Sequence, residues 1–183
     1  MSPKQSVCVY CGARDGRDPA FARAAEDLGT RLAQAGWRLV YGAGDVGLMG
    51  RVARAAQAAG GQTFGVIPQH LVAREVARQD LGTCVVTETM HERKKVMFMN
   101  ATAVVVLPGG AGSLDEFFEV LTWAQLGLHD KPILLLNTAG YWEPLIGLID
   151  HVVAGGFAEP SLRALVTVVE TPAAAMEALA GRP

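Results

Sequence analysis

Residues 101–116 read ATAVVVLPGGAGSLDE, and this stretch decides the fold. The run from Ala101 to Pro108 is apolar at successive positions instead of alternating ones, as in a strand covered on both faces of a parallel sheet. Pro108-Gly109-Gly110-Ala111-Gly112-Ser113 closes the run as a turn, and residues 114–127 have helical character. A buried strand passing through a glycine-rich turn into a helix is half of a βαβ unit.

The same alternation extends in both directions. Upstream, SVCVYCG reads as a strand and residues 19–35 as a helix opened by Pro19. WRLVYG is the next strand, Leu48 to Ala59 the next helix, and QTFGVIP a third strand ended by Pro68. Residues 69–82 have weak periodicity and read as a loop with a short helix, followed by the strand CVVTE and a helix from Met90 to Asn100. Downstream, KPILLLN is a strand, Tyr141 to Ala154 a helix and LVTVV a short strand, with a last helix after Thr171-Pro172. The expected architecture is α/β: a Rossmann-like, doubly wound parallel sheet with helices on both faces. Length 183 and the absence of linkers or repeats favour one domain over residues 1–183.

Half the residues are hydrophobic, enough for a full core. Net charge is −2, so neither nucleic acid nor an anionic membrane is an expected partner. The start MSPKQSVCVY lacks a signal-peptide pattern, and no apolar run approaches the ~18 residues of a membrane span. Cys8, Cys11 and Cys84 then fit reduced thiols, and a cytoplasmic location is expected. Cys8 and Cys11 form a C-x-x-C, but no second Cys or His pair follows at zinc-site spacing. Buried or pocket-edge thiols are the expectation, and neither a metal nor a cofactor.

Right-handed crossovers place every strand-to-helix turn at one edge of such a sheet, where ligands bind. Two turns there are rich in glycine. In YGAGDVGLMG, Gly42, Gly44 and Gly47 have the spacing of a dinucleotide fingerprint. That fingerprint also needs an acidic residue about 20 positions on, and the following strand ends Val66-Ile67-Pro68-Gln69. A mononucleotide or sugar phosphate fits better, beside the plainer reading of a tight turn. In PGGAGSLDE, Gly109, Gly110 and Gly112 precede a helix, whose N-terminal N–H groups and dipole attract anions. Ser113 and Glu116 have capping-box spacing, which reads either as a helix cap and nothing more or as a box that also holds a catalytic carboxylate at a pocket edge.

The helix at MHERKKVM carries Arg93 and Lys94 to either side of the stripe formed by Met90, Met97 and Ala101, toward the core. They either snorkel past apolar surface or reach over the sheet edge to a phosphate or carboxylate.

On these residues the sequence resembles the Lonely Guy family, the cytokinin riboside 5′-monophosphate phosphoribohydrolases, which are often mislabelled lysine decarboxylases. VCVYCG, LVYGAGDVGLMG, GVIP, MHERK, PGGAGSLDE, WAQLGLHDKPILLLN and GYWEPL follow in family order over almost the whole chain. The resemblance implies catalysis by Arg93 and Glu116. It implies nucleotide and phosphate binding by Met90, Lys94 and the segment Gly109, Gly110, Ala111, Gly112, Ser113, Leu114 and Asp115, beside the turn of Gly42, Gly44 and Gly47. Glu75 in HLVAREV matches a carboxylate near the base, and Thr122 is a weaker match. Ser113 stands where threonine is usual, Ala43 replaces a glycine, and Ala111 replaces a common aromatic. The last leaves the choice of substrate open.

The implied reaction is hydrolysis of the N-glycosidic bond of a nucleoside 5′-monophosphate, giving free base and ribose 5-phosphate without metal or cofactor. Broader hydrolysis of AMP and other purine monophosphates, and a non-catalytic carrier of nucleotide or cofactor, are the alternatives. Family members are dimers, and residues 114–126 include Phe117, Phe118, Leu121, Trp123 and Leu126, more apolar surface than one helix face requires. A homodimer is therefore expected.

Overall fold

The computed structural model describes residues 5–72 and 82–181. Within them, seven parallel strands form one sheet in the order β4-β3-β2-β1-β5-β6-β7. The strands are β1 (Ser6–Tyr10), β2 (Arg38–Tyr41), β3 (Thr63–Pro68), β4 (Thr83–Thr87), β5 (Ala103–Val106), β6 (Ile133–Leu136) and β7 (Val166–Val169). The order reverses between β1 and β5, and β5 pairs with β1 from Val7↔Ala103 to Tyr10↔Val106. This is the switch point of a doubly wound sheet, where the loops leaving two neighbouring strands part in opposite directions and leave a crevice.

The helices are α1 (Pro19–Gln34), α2 (Gly47–Ala58), α3 (Met90–Met99), α4 (Ala111–Gln125), α5 (Glu143–Ala154), α6 (Ser161–Ala164) and α7 (Pro172–Ala180). Side chains of one strand alternate between faces, so β1 feeds two cores. Val7 and Val9 pack with Leu28 and Leu32 of α1, Val52 of α2 and Leu179 of α7. Cys8 and Tyr10 pack with Met97 of α3, Phe117 and Leu121 of α4 and Ile149 of α5. The alternation also separates the C-x-x-C pair. Cys8 and Cys11 stand three residues apart and belong to opposite cores. Both thiols are buried, and desolvation raises their pKa well above the ordinary thiol value. They remain protonated at neutral pH.

Helix starts follow local chemistry. Asp18 caps α1, its Oδ1 accepting from Ala20 N at 2.8 Å, with Pro19 at the first helical position. Thr89 caps α3 in a full capping box. Its Oγ1 accepts from Glu92 N at 3.2 Å, and Glu92 Oε2 accepts from Thr89 N at 3.1 Å. Helix α4 differs from the sequence reading. It begins at Ala111, three residues before residue 114, with Gly110 as its N-cap and no side-chain cap. Ser113 thus lies inside the first turn, and the Ser113–Glu116 spacing forms no capping box.

Candidate active site

A cavity of about 500 Å³ opens at the carboxyl ends of β1 and β5. One wall is the loop after β1, from Cys11 to Gly16. The opposite wall is Pro108-Gly109-Gly110 with Gly112, Ser113, Asp115 and Glu116 from the first turns of α4. Leu48 and Met49 of α2, Met90 and Arg93 of α3, Phe21 of α1, Leu71 and Tyr141 complete it among the described residues. The walls are tied together at their base, where Gly12 N donates to Pro108 O at 3.0 Å.

The two glycine turns prove unequal. At α4, the first helical bond runs from Leu114 N to Gly110 O. The N–H groups of the first turn before it have no partner within the helix, and this turn forms the cavity wall. At α2, Met49 N donates to Gly12 O at 3.4 Å and Gly44 N to Met49 Sδ at 3.2 Å. Gly42, Gly44 and Gly47 do not line the cavity. Gly42 lies under α3: its carbonyl accepts from Arg93 Nη2 at 2.8 Å, and a Cβ there would overlap the guanidinium. Gly47 has φ +59°, and a Cβ there would overlap the backbone of Ala13 and Arg14. These glycines therefore support the walls from behind.

Arg93 and Lys94 are both buried, at 4 % and 5 % exposure, as their position on the helix predicts. Their partners differ. Arg93 Nε donates to Val66 O at 3.1 Å alongside the Gly42 bond, and the side chain faces the cavity. Lys94 Nζ bridges Asp115 at 2.9 Å and Glu119 at 2.8 Å on α4. Desolvation would lower its pKa, but the two carboxylates outweigh it and the net shift is upward. Lys94 thus joins α3 to α4 and does not line the cavity.

Of the other expected residues, Met90, Gly109, Gly110, Gly112, Ser113, Asp115 and Glu116 line the cavity. Ala111 and Leu114 belong to α4 but do not line the cavity. Thr122 is exposed, nearly three turns further along α4. Glu75 lies outside the described residues. His91 is exposed at the start of α3.

Sequence reasoning missed the β1 loop, above all Arg14 and Asp15, and it missed Tyr141. Asp15 is gripped by Arg51 of α2, through Nε at 2.7 Å and Nη2 at 2.9 Å, while Arg51 Nη1 reaches Glu26 of α1 at 2.7 Å. The Arg51 bonds hold the Asp15 carboxyl below its ordinary pKa. Tyr141 donates from its hydroxyl to Gly109 O at 2.6 Å and packs edge-on against Phe21. Among the described residues no group of three His, Cys, Asp or Glu is placed to hold a metal ion.

Fold and cavity define the class: a Rossmann-like α/β protein with a crevice at the switch point of its sheet. Residues 49–179 match the family model described as possible lysine decarboxylase. The chain is 44% identical to a cytokinin riboside 5′-monophosphate phosphoribohydrolase of Oryza sativa subsp. japonica, over 90% of this chain and 68% of that one. It is 42% identical to one from Arabidopsis thaliana, over 90% and 77%. The molybdenum cofactor binding protein of Rippkaea orientalis shares the fold, with TM-score 0.74 and 22% identity over 98% of both chains. The chain belongs to the Lonely Guy family.

Proposed function

We propose that the protein hydrolyses the N-glycosidic bond of nucleoside 5′-monophosphates, cytokinin ribotides among them, releasing base and ribose 5-phosphate. One observation carries the reading: Glu116 and Arg93 line the same cavity as the N-terminal turn of α4. Rupture of the glycosidic bond builds positive charge on the ribose. A carboxylate beside C1′ stabilises that charge and takes a proton from the attacking water. Glu116 serves this role. Arg93 is a poor general acid, since a guanidinium keeps its proton. Clamped by two carbonyls, it orients substrate or hydrogen-bonds the departing base. The α4 turn holds the 5′-phosphate. The relatives named for this reaction support the assignment.

The lysine decarboxylase description finds no chemical footing. A Schiff-base lysine needs a lowered pKa, whereas Lys94 is raised and ion-paired. No lysine is among the residues described as lining the cavity.

If a phosphate occupies the turn, the 5′-monophosphate should react in strong preference to its nucleoside. A charge-assisted hydrogen bond is worth about 1.5–3 kcal/mol, so two or more give at least ~100-fold in kcat/KM. Base release from AMP against adenosine, and from isopentenyladenosine monophosphate against its riboside, measures this. Comparable values for the phosphate-free compounds would remove the phosphate site. Nucleotide binding without base release would leave a carrier.

We further propose a homodimer through the α3–α4–α5 layer. Met99, Leu126 and Leu128 are each about two-thirds exposed on that side, with Phe118 and Leu148 also exposed. Among the described residues, α1, α2 and α7 expose no large hydrophobic side chain. A one-sided apolar surface is the mark of an association face. Light scattering at micromolar concentration should give twice the 19.3 kDa chain mass, and the monomer mass would refute it.

A further inference from the structure

We propose that Arg14, in the loop after β1, is the cation that reads the substrate's phosphate and so sets the preference for nucleotides over nucleosides. The inference rests on the functional reading above and adds a residue to its site.

The argument begins with charge. The charged residues described in the cavity wall are Arg14, Asp15, Arg93, Asp115 and Glu116. Asp15 is engaged by Arg51 and Asp115 by Lys94. Arg93 donates to the carbonyls of Val66 and Gly42. Arg14 is exposed to the cavity and, among the described residues, makes no hydrogen bond or ion pair. A phosphate dianion at the α4 turn would lie near Glu116, a carboxylate of like sign, while Lys94 already offsets Asp115. The helix N-terminus supplies about half a charge, which does not offset that repulsion. A guanidinium with two parallel N–H groups does.

Position supports the same conclusion. A Cβ built on Gly12 would lie 3.1 Å from Arg14 O and 3.3 Å from Gly109 Cα, so the Arg14 backbone and the phosphate turn both crowd Gly12. The loop is fixed on three sides. Gly12 is bonded to Pro108 O, Asp15 is held by two bonds from Arg51, and Gly47 gives up its Cβ so that Ala13 and Arg14 can pass over it. The surroundings hold the backbone of Arg14 and leave its side chain for a ligand.

Calorimetry on the full chain carrying Glu116→Gln, to prevent turnover, tests the proposal with AMP, ribose 5-phosphate and adenosine as probes. Adding Arg14→Gln should weaken AMP and ribose 5-phosphate by about 10- to 100-fold and leave adenosine within about twofold, with Arg14→Lys recovering part of the loss. Unchanged affinity for AMP, or an equal loss for adenosine, overturns the role of Arg14. In the chain with Glu116 intact, base release from AMP with the same KM before and after Arg14→Gln overturns it too, while leaving the hydrolase reading in place. AMP that binds through Arg14 but is not hydrolysed sinks the hydrolase reading and keeps the phosphate contact.

Discussion

Glu116→Gln should lower kcat for nucleoside 5′-monophosphate hydrolysis by on the order of 10³-fold or more, without weakening AMP binding and without a capping cost to thermal stability. A general base contributes about 10²–10⁴-fold and a charge-stabilising group about 10²–10³-fold, and one carboxylate does both here. The amide keeps the shape and removes the charge. Structure and sequence pattern differ on the side effect. Had Glu116 closed a capping box with Ser113, its loss would cost about 1 kcal/mol. Helix α4 is instead capped at Gly110, without a side-chain bond, so no such cost is due. Single-turnover kinetics with thermal melts of both proteins would show this. Turnover within a few-fold of the unmutated chain would take the reaction away from Glu116.

Gly42→Ala should damage both stability and activity although residue 42 does not line the cavity. A Cβ there overlaps the Arg93 guanidinium and crowds Met49 Sδ at 3.0 Å. Arg93 would have to leave the Gly42 carbonyl while its charge stayed buried. Losing one hydrogen bond to a charged group costs about 1.5–3 kcal/mol. At about 2–4 °C per kcal/mol for a chain of this size, Tm should fall by at least ~3 °C. Displacing a positioned group by about 1 Å can cost about 10²-fold in rate, so kcat/KM should fall at least that far. Gly110→Ala is the stability control, because a Cβ there meets nothing within 4 Å. Equal melting temperatures for the two variants would show that Arg93 does not depend on Gly42.

Local patterns were legible where the physics is local. Pro19 and Thr171-Pro172 mark helix starts, and α1 and α7 begin there. Successive apolar residues at 101–108 mark a strand buried on both faces, and β5 is buried throughout. The helical period turned Arg93 and Lys94 inward, and both are buried. Neither the period nor the residue type could name their partners. Arg93 meets carbonyls of β3 and of the β2 turn, and Lys94 meets α4, all more than 20 positions away in the chain. Capping geometry was similarly ambiguous. Thr89–Glu92 and Ser113–Glu116 have the same spacing, and only the first is a box, because Gly110 starts α4 before Ser113 can cap it.

By itself the sequence determined the alternation of strands and helices, the sheet edge that carries the turns, the glycine turn before α4 and the family. Strand order was decided by tertiary structure alone. With β5 beside β1, the crevice opens between their loops. The unremarkable CGARDG segment then becomes a wall carrying Arg14, while the Gly42–Gly47 turn, on a strand one place removed, becomes the support beneath it. The physical reason is range. Hydrophobic period and turn chemistry act over a few residues. The pairing of β1 with β5 joins residues some 96 positions apart, through contacts that every apolar parallel strand offers alike.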